Sequence, residues 1–164
     1  MRSLVASLIA ASTLGLSGCG FTPLYANPGV SHGLASIEVV APAGRTGYLI
    51  REHLDDALAK DIGASPAYRM ELQLLEQRHP RGLRIDNVAT RYEYVLVATY
   101  SLIALPSGQQ AKRGQVRVQL TYDSADQPYA SIAAQQDVAD RAAEEAARRI
   151  QLELAAWMAA RPKA

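Results

Sequence analysis

Apolar and polar residues alternate with a period of two in three stretches of this chain, and in two others they recur every three or four residues. Residues 68–77 place Tyr68, Met70, Leu72 and Leu74 on one side and Arg69, Glu71 and Gln73 on the other, the pattern of a strand with one wet face. Residues 91–105 repeat it: Tyr92, Tyr94, Leu96, Tyr100 and Leu102 face one way, and Val95 and Val97 make the middle of the other face partly apolar. Residues 115–122 oppose Val116, Val118, Leu120 and Tyr122 to Gln115, Arg117, Gln119 and Thr121. A shorter apolar run at 36–41, closed by Pro42, predicts a first strand. In residues 48–61 the helical spacing of Ile50, Leu54, Ala57, Leu58 and Ile62 predicts an amphipathic helix, with Gly44 and Gly47 in the turn before it and Gly63 as its left-handed stop. Residues 129–160 carry Val138, Ala142, Ala146, Ile150, Leu154 and Trp157 as one stripe. Asp137–Arg141, Glu144–Arg148 and Glu145–Arg149 are acid-before-base pairs four apart along the same helix.

The predicted order is β-α-β-β-β-α. It makes an α+β two-layer sandwich, with two helices packed on one face of a four-stranded, mostly antiparallel sheet. His79-Pro80-Arg81-Gly82 is expected to break the second strand, and Pro106-Ser107-Gly108 to turn the chain after the third. One domain over residues 36–161 is expected. Pro23, Pro28, Gly29 and Gly33 predict an irregular lead over residues 19–35.

The beginning of the chain changes the picture. Arg2 precedes a short apolar run from Leu4 to Leu16. A spanning helix needs roughly 20 apolar residues, so this run fits an export signal over residues 1–18 better than an anchor. It ends in Leu16-Ser17-Gly18-Cys19, and Cys19 is the only cysteine. The four residues resemble a bacterial lipobox. That resemblance implies a diacylglycerol on the Cys19 thiol, cleavage before it, and an N-acyl chain (typically palmitate) on the amine it exposes. Several acyl chains anchor stably where one is marginal. Gly20 is not the Asp of an inner-membrane retention signal, so an outer-membrane anchor facing the periplasm is expected.

Composition excludes more than it assigns. Hydrophobic residues make up 49% and charged residues 20% of the 164, enough for one modest core. Without Arg2, the 17 basic residues fall level with the 16 acidic ones, a balance that argues against a protein built to grip nucleic acid. His32, His53 and His79 sit at no metal-binding spacing, and no nucleophile comes with a base. No enzyme activity, metal or cofactor is therefore expected beyond the acyl chains on Cys19. The tyrosines of the third strand are expected in the core. Positive charge clusters in two expected loops, Arg78, Arg81, Arg84 and Arg91 in one, and Lys112 with Arg113 in the other. Arginine's planar fork suits phosphate, and anionic glycolipid is the phosphate-bearing partner of this compartment.

The lead from Leu16 to Tyr25, Leu-Ser-Gly-Cys-Gly-Phe-Thr-Pro-Leu-Tyr, resembles the start of the LptE lipopolysaccharide-assembly lipoproteins, especially the alphaproteobacterial ones. Ala89-Thr90-Arg91-Tyr92, Tyr129-Ala130 with Asp137, Arg141 and Ala142, and the run from Ile150 to Trp157 resemble the same family. The resemblance implies a two-layer α/β domain tethered in the outer membrane. It also implies that the domain plugs the β-barrel LptD, helps assemble it, binds lipopolysaccharide and assists its delivery to the outer leaflet. It gives no lipopolysaccharide-contacting residues for this chain, so the arginines and Lys112 are candidates by chemistry. The alternative is a stand-alone periplasmic lipid- or glycolipid-binding lipoprotein, which calls for an enclosed apolar cavity.

Overall fold

The computed structural model describes residues 28–63, 65–83, 89–124 and 127–161. The leader, Cys19 and the rest of the lipobox, Leu16, Ser17 and Gly18, lie outside them. In chain order the elements are α1 (Pro28–Ala35), β1 (Ile37–Val40), α2 (Arg45–Ala57), β2 (Tyr68–Leu83), β3 (Ala89–Ala104), β4 (Gln110–Asp123) and α3 (Pro128–Ala159). The sheet runs β1-β2-β3-β4. β1 lies parallel to β2, and the remaining pairs are antiparallel. The expected α+β sandwich is present, with a third helix in front of it.

The alternation read from the sequence sets which face is buried. Tyr94, Leu96, Ala98, Tyr100 and Leu102 of β3 are at most 3% exposed. They pack with Met70 and Leu72 of β2 and with Val116, Val118 and Tyr122 of β4. Onto this surface α3 lays Val138, Ala142, Ala146, Ile150 and Leu154, each wholly buried. Ala139, Ala143, Ala147 and Ala155 are buried beside them. The stripe is wider than a single seam because α3 packs on the sheet and on α2 together. Alanine favours the helix and lets both neighbours come close. From α2, Ile50, Leu54 and Leu58 complete the core.

Polar contacts pin the layers. Tyr100 donates to Glu153 of α3 at 2.7 Å, His53 of α2 bonds Asp140 of α3 at 2.8 Å, and the Gln151 amide donates to the Ala57 carbonyl. At the C-terminal end of α3, Trp157 meets Tyr68 edge-on at 6.1 Å, and Arg161 lies 4.8 Å over the Trp157 ring.

Several expectations need correction. Residues 28–35 are helical rather than irregular. Val30 and Leu34 are buried, and Gly33 lets α1 close on Met158 of α3. β2 does not break at His79-Pro80 but runs on to Leu83, with Pro80 opposite Tyr92. β1 pairs only as far as Glu71, so β2 is an edge strand at Pro80, where proline's missing donor is tolerated. Gly82, at φ 62°, takes the irregularity instead. β4 begins at Gln110, which places Lys112 and Arg113 in a strand and not a loop. α2 starts at Arg45 and ends at Ala57, with Ala59 (φ 50°) in the left-handed position expected of Gly63. Gly47 lies inside α2, and Ile62 is 95% exposed instead of facing the core. On α3, Asp137 pairs with Arg141 as expected, but Arg148 joins Arg149 on Glu145 rather than bonding Glu144.

Two stability predictions follow from this packing. Ile150→Ala removes a wholly buried side chain from the centre of the α3 seam and should cost about 2–5 kcal/mol. Gly47→Ala should also destabilise, because a Cβ there collides with the Pro42 carbonyl oxygen, which is backbone and cannot move aside. Urea unfolding curves measure both, and a midpoint unchanged from wild type would refute the packing described.

The buried phenols give a third prediction. Tyr94 and Tyr100 are both pushed well above the usual tyrosine value, first by burial and then by hydrogen bonds to Glu76 and Glu153. A raised folded-state value means the folded chain keeps a proton that the unfolded chain loses. The stabilisation is therefore whole below pH about 10, the unfolded value, and is lost as pH rises toward the folded one. A tyrosinate absorbance titration should show a late alkaline phase that coincides with loss of helical circular dichroism. The double variant Tyr94→Phe, Tyr100→Phe should lack that phase; its persistence would refute the assignment.

Candidate functional site: a polar cleft at the distal end of the sandwich

β1 spans four residues and β2 sixteen. Beyond Val40 the chain leaves the sheet, turns through Pro42 to Gly44 and enters α2. The distal halves of β2, β3 and β4 therefore run on without a neighbour outside β2, and between them and the helices lies a cleft of about 530 Å³. Arg45 and Thr46 of the first turn of α2 form one wall. Ile132, Gln135 and Gln136 of α3 form another, and Glu76, Arg78, Tyr94 and Tyr122 of the sheet close the floor.

The floor is tied together by hydrogen bonds. Tyr94 donates to Glu76 Oε2 at 2.6 Å, and Thr46 lines the cleft with them. Among the described residues Thr46 is the one polar side chain that the fold buries, at 7% exposure. Arg78 donates to Gln135 Oε1 at 2.7 Å, joining β2 to α3. Tyr122 is buried and stacks on Tyr92 with the rings 5.5 Å apart and 17° from parallel. Arg45 makes no ion pair among the described residues. The first turn of α2 holds no acidic residue, and Gly44 offers it no capping side chain. Both features leave this wall positive.

The structure divides the arginines expected to act together. Arg78 lies in the cleft. Arg81 and Arg91 are direct cross-strand partners whose side chains, by the two-residue period, fall on the opposite face of the sheet. There each has an acid: Arg81 donates to Glu93 at 2.7 Å and Arg91 to Asp123 at 2.8 Å. The hydrogen bond from Arg81 holds the Glu93 carboxyl below the usual range, and that to Asp123 raises Arg91 further. Arg84 lies outside the described residues. Lys112 and Arg113 pair with Leu102 and Ser101 at the other end of the sheet, so they form no continuous patch with the rest. Arg45 went unnoticed in the sequence because it was read as part of a turn, and only the fold brings it level with Arg78.

The open face of the sheet is of another kind. Gln73 and Gln77 of β2, Thr99 of β3, and Gln115, Gln119 and Thr121 of β4 share it by the same alternation. Gln115 donates to Thr99 at 3.0 Å across the strands. Around Leu75 and Val97 at its centre it presents these amides and hydroxyls together with charged side chains, among them Arg69, Glu71, Arg117 and the pairs Arg81–Glu93 and Arg91–Asp123. Among the described residues no His, Asp and Glu gather as a metal site, and no helix is long and apolar enough to cross a membrane.

Comparison with known proteins agrees with this architecture. No curated protein matches the chain. A crystal structure from Caulobacter crescentus CB15, described as that of a lipoprotein, is 54% identical, covers 83% of this chain and 99% of its own, and superposes with a TM-score of 0.72. Rare lipoprotein B from Shewanella oneidensis shares the fold at 15% identity and a TM-score of 0.57, over 75% of this chain and 94% of that one. Lipoprotein B from Nitrosomonas europaea does so at 15% and 0.58, over 76% and 84%. The lipopolysaccharide-assembly family model LptE matches residues 34–154, from the end of α1 to the last turns of α3, and the chain belongs to the LptE lipopolysaccharide-assembly family.

Proposed function

We propose that this chain is a non-catalytic lipoprotein, anchored through acyl chains on Cys19 to the periplasmic face of the outer membrane. It plugs and helps assemble the LptD barrel and assists delivery of lipopolysaccharide to the outer leaflet. The observation that carries the proposal is the family match across nearly the whole folded part of the chain. The geometry supports it in two ways. The open sheet face, made of amides, hydroxyls and charged side chains, suits a polar partner, and the interior of a large outer-membrane barrel is polar. The chain joins the sheet through α1 at Ile37, the end opposite the cleft. At a strand rise of ~3.3 Å per residue, Arg78 stands roughly 30 Å from Tyr68, the partner of Ile37. The described chain therefore enters the sheet at the end opposite the arginine-bearing cleft.

In this proposal Arg78, Arg81 and Arg91 meet the phosphates of lipopolysaccharide at the distal end, Arg84 is a further candidate contact, and Lys112 with Arg113 are the candidate contacts at the other end. The stand-alone carrier gains nothing from the cleft, which is open and lined with polar as well as apolar groups, where a lipid carrier needs an enclosed apolar cavity.

The tagged, membrane-extracted protein should co-purify with LptD in equal amounts; recovery of the protein alone, with bound lipid, would favour the carrier. Cys19→Ala should abolish labelling by a fatty-acid probe, and undiminished labelling would refute the lipobox. Exchanging Arg78, Arg81, Arg84 and Arg91 together for Gln should weaken lipopolysaccharide binding at low salt by about tenfold or more, the scale of a lost charge-assisted contact. Unaltered binding would remove those residues from the site.

A further inference from the structure

We infer that the distal cleft is a binding site for an acidic sugar, a saccharide unit carrying a phosphate or carboxylate. The inference rests on the lipopolysaccharide reading and assigns the part of such a ligand that this site takes. At about 530 Å³ the cleft falls within the roughly 300–1,000 Å³ of small-molecule sites.

Its chemistry separates the ligand classes. An acyl chain requires apolar walls on every side, and here Ile132, Val138 and Ala139 of α3 supply one side only. A bare phosphate requires donors converging on a point, whereas Arg45, Arg78, Gln135 and Gln136 are spread over α2, β2 and α3. Donors and acceptors distributed around a shallow cleft, with one flat ring and one aliphatic wall, match a polyol: amides and guanidinium groups pair with hydroxyls, and the C–H face of the sugar lies on Ile132 or the Tyr122 edge. The charge balance then selects an acidic sugar. Glu76 is committed to the Tyr94 phenol and Arg78 is shared with Gln135. Among the described residues Arg45 has no ion-pair partner, and it stands on the uncapped, acid-free first turn of α2, so the anionic group belongs at that wall.

The inference also explains an exposed feature. The first turns of α3 project past the core, leaving Tyr129 at 88% and Ile132 at 51% exposure. This apolar rim borders a cleft whose floor is polar, an arrangement that suits a sugar carried on a larger amphipathic molecule.

The test uses the full-length lipidated protein in detergent and two probes: intact lipopolysaccharide, and the phosphorylated oligosaccharide left after its complete deacylation. Calorimetric titration should show the oligosaccharide binding to wild type. Arg45→Gln and Gln136→Leu should each weaken it, the arginine change by about tenfold as expected for one charged hydrogen bond. Both residues are exposed and neither holds an element in place, and matching circular dichroism confirms that each variant folds. Enzymatic removal of the phosphates should weaken wild-type binding and leave Arg45→Gln unaffected. Oligosaccharide affinity unchanged in both variants would overturn the site. Binding of intact lipopolysaccharide without binding of the oligosaccharide would overturn the ligand class while leaving the proposed function standing. Binding of neither probe would overturn both.

Discussion

The packing of α3 is the constraint on which the rest of the structure depends. The helix has 32 residues, about 48 Å at 1.5 Å per residue, and it must satisfy two neighbours along that length. On one side is a sheet whose inner face carries Tyr94, Leu96, Tyr100 and Leu102, and on the other is α2 with Ile50 and Leu54. Large side chains on all three surfaces would hold the layers apart. Alanine at 142, 143, 146 and 147, all buried, lets the backbone of α3 settle between them, and Ile150 and Leu154 fill the wider space toward its C-terminal half. Tyr100 shows how little room is left. Its ring lies over its cross-strand partner Gly114, where a Cβ would strike it, and only so does its hydroxyl reach Glu153.

The cleft follows from the same arrangement and a mismatch in length. Because β1 stops after four residues, α2 begins part of the way up the sheet, and its first turn stands level with Glu76 and Arg78. α3 continues past that point. The space between the end of one helix and the flank of the other is covered on the sheet side only. A longer β1 would carry the start of α2 farther along the sheet and separate Arg45 from Arg78. The polar floor, Tyr94–Glu76, then serves structure as well as recognition: buried donors and acceptors beside an opening must find partners, and these two groups satisfy each other before any ligand arrives.

Much of the fold was legible because periodicity reports burial directly. The even residues of β3 and the stripe from Val138 to Leu154 name the two faces that meet, and the resemblance at the leader and along the strands pointed to the right family. The errors have local causes. Pro80 reads as a strand breaker, yet whether it breaks depends on β1 having ended at the level of Glu71, a tertiary fact. The glycines and proline of residues 28–35 argue against a helix by propensity. Burial of Val30 and Leu34 on α3 outweighs that propensity, and Gly33 becomes useful because it leaves room for Met158. Gly47 looks like a turn residue but lies inside α2, where glycine is needed because a Cβ would strike the Pro42 carbonyl. The cleft was not legible at all. Its residues come from positions 45, 46, 76, 78, 94 and 122 and from five positions between 132 and 139, and no linear pattern links them.

Charge was the least readable property, because counting arginines assumes that each is available. Arg81 and Arg91 face each other across two strands, an arrangement that like charges disfavour. Glu93 and Asp123 relieve it, at the cost of occupying both guanidinium groups. An anion that approaches them must compete with a carboxylate already at 2.7 or 2.8 Å, so part of any attraction is spent on displacement. Arg45 carries no such burden, and its charge adds to the uncapped start of α2. The effective positive site is therefore displaced from the arginine-rich hairpin toward the cleft, where Arg45, without an ion pair among the described residues, stands beside Arg78 and neutral hydrogen-bonding groups. A site of that composition gains most from ligands with a single acidic group among many hydroxyls. A strongly phosphorylated surface would instead favour the hairpin, where several weaker contacts, each freed from its own acid, add together.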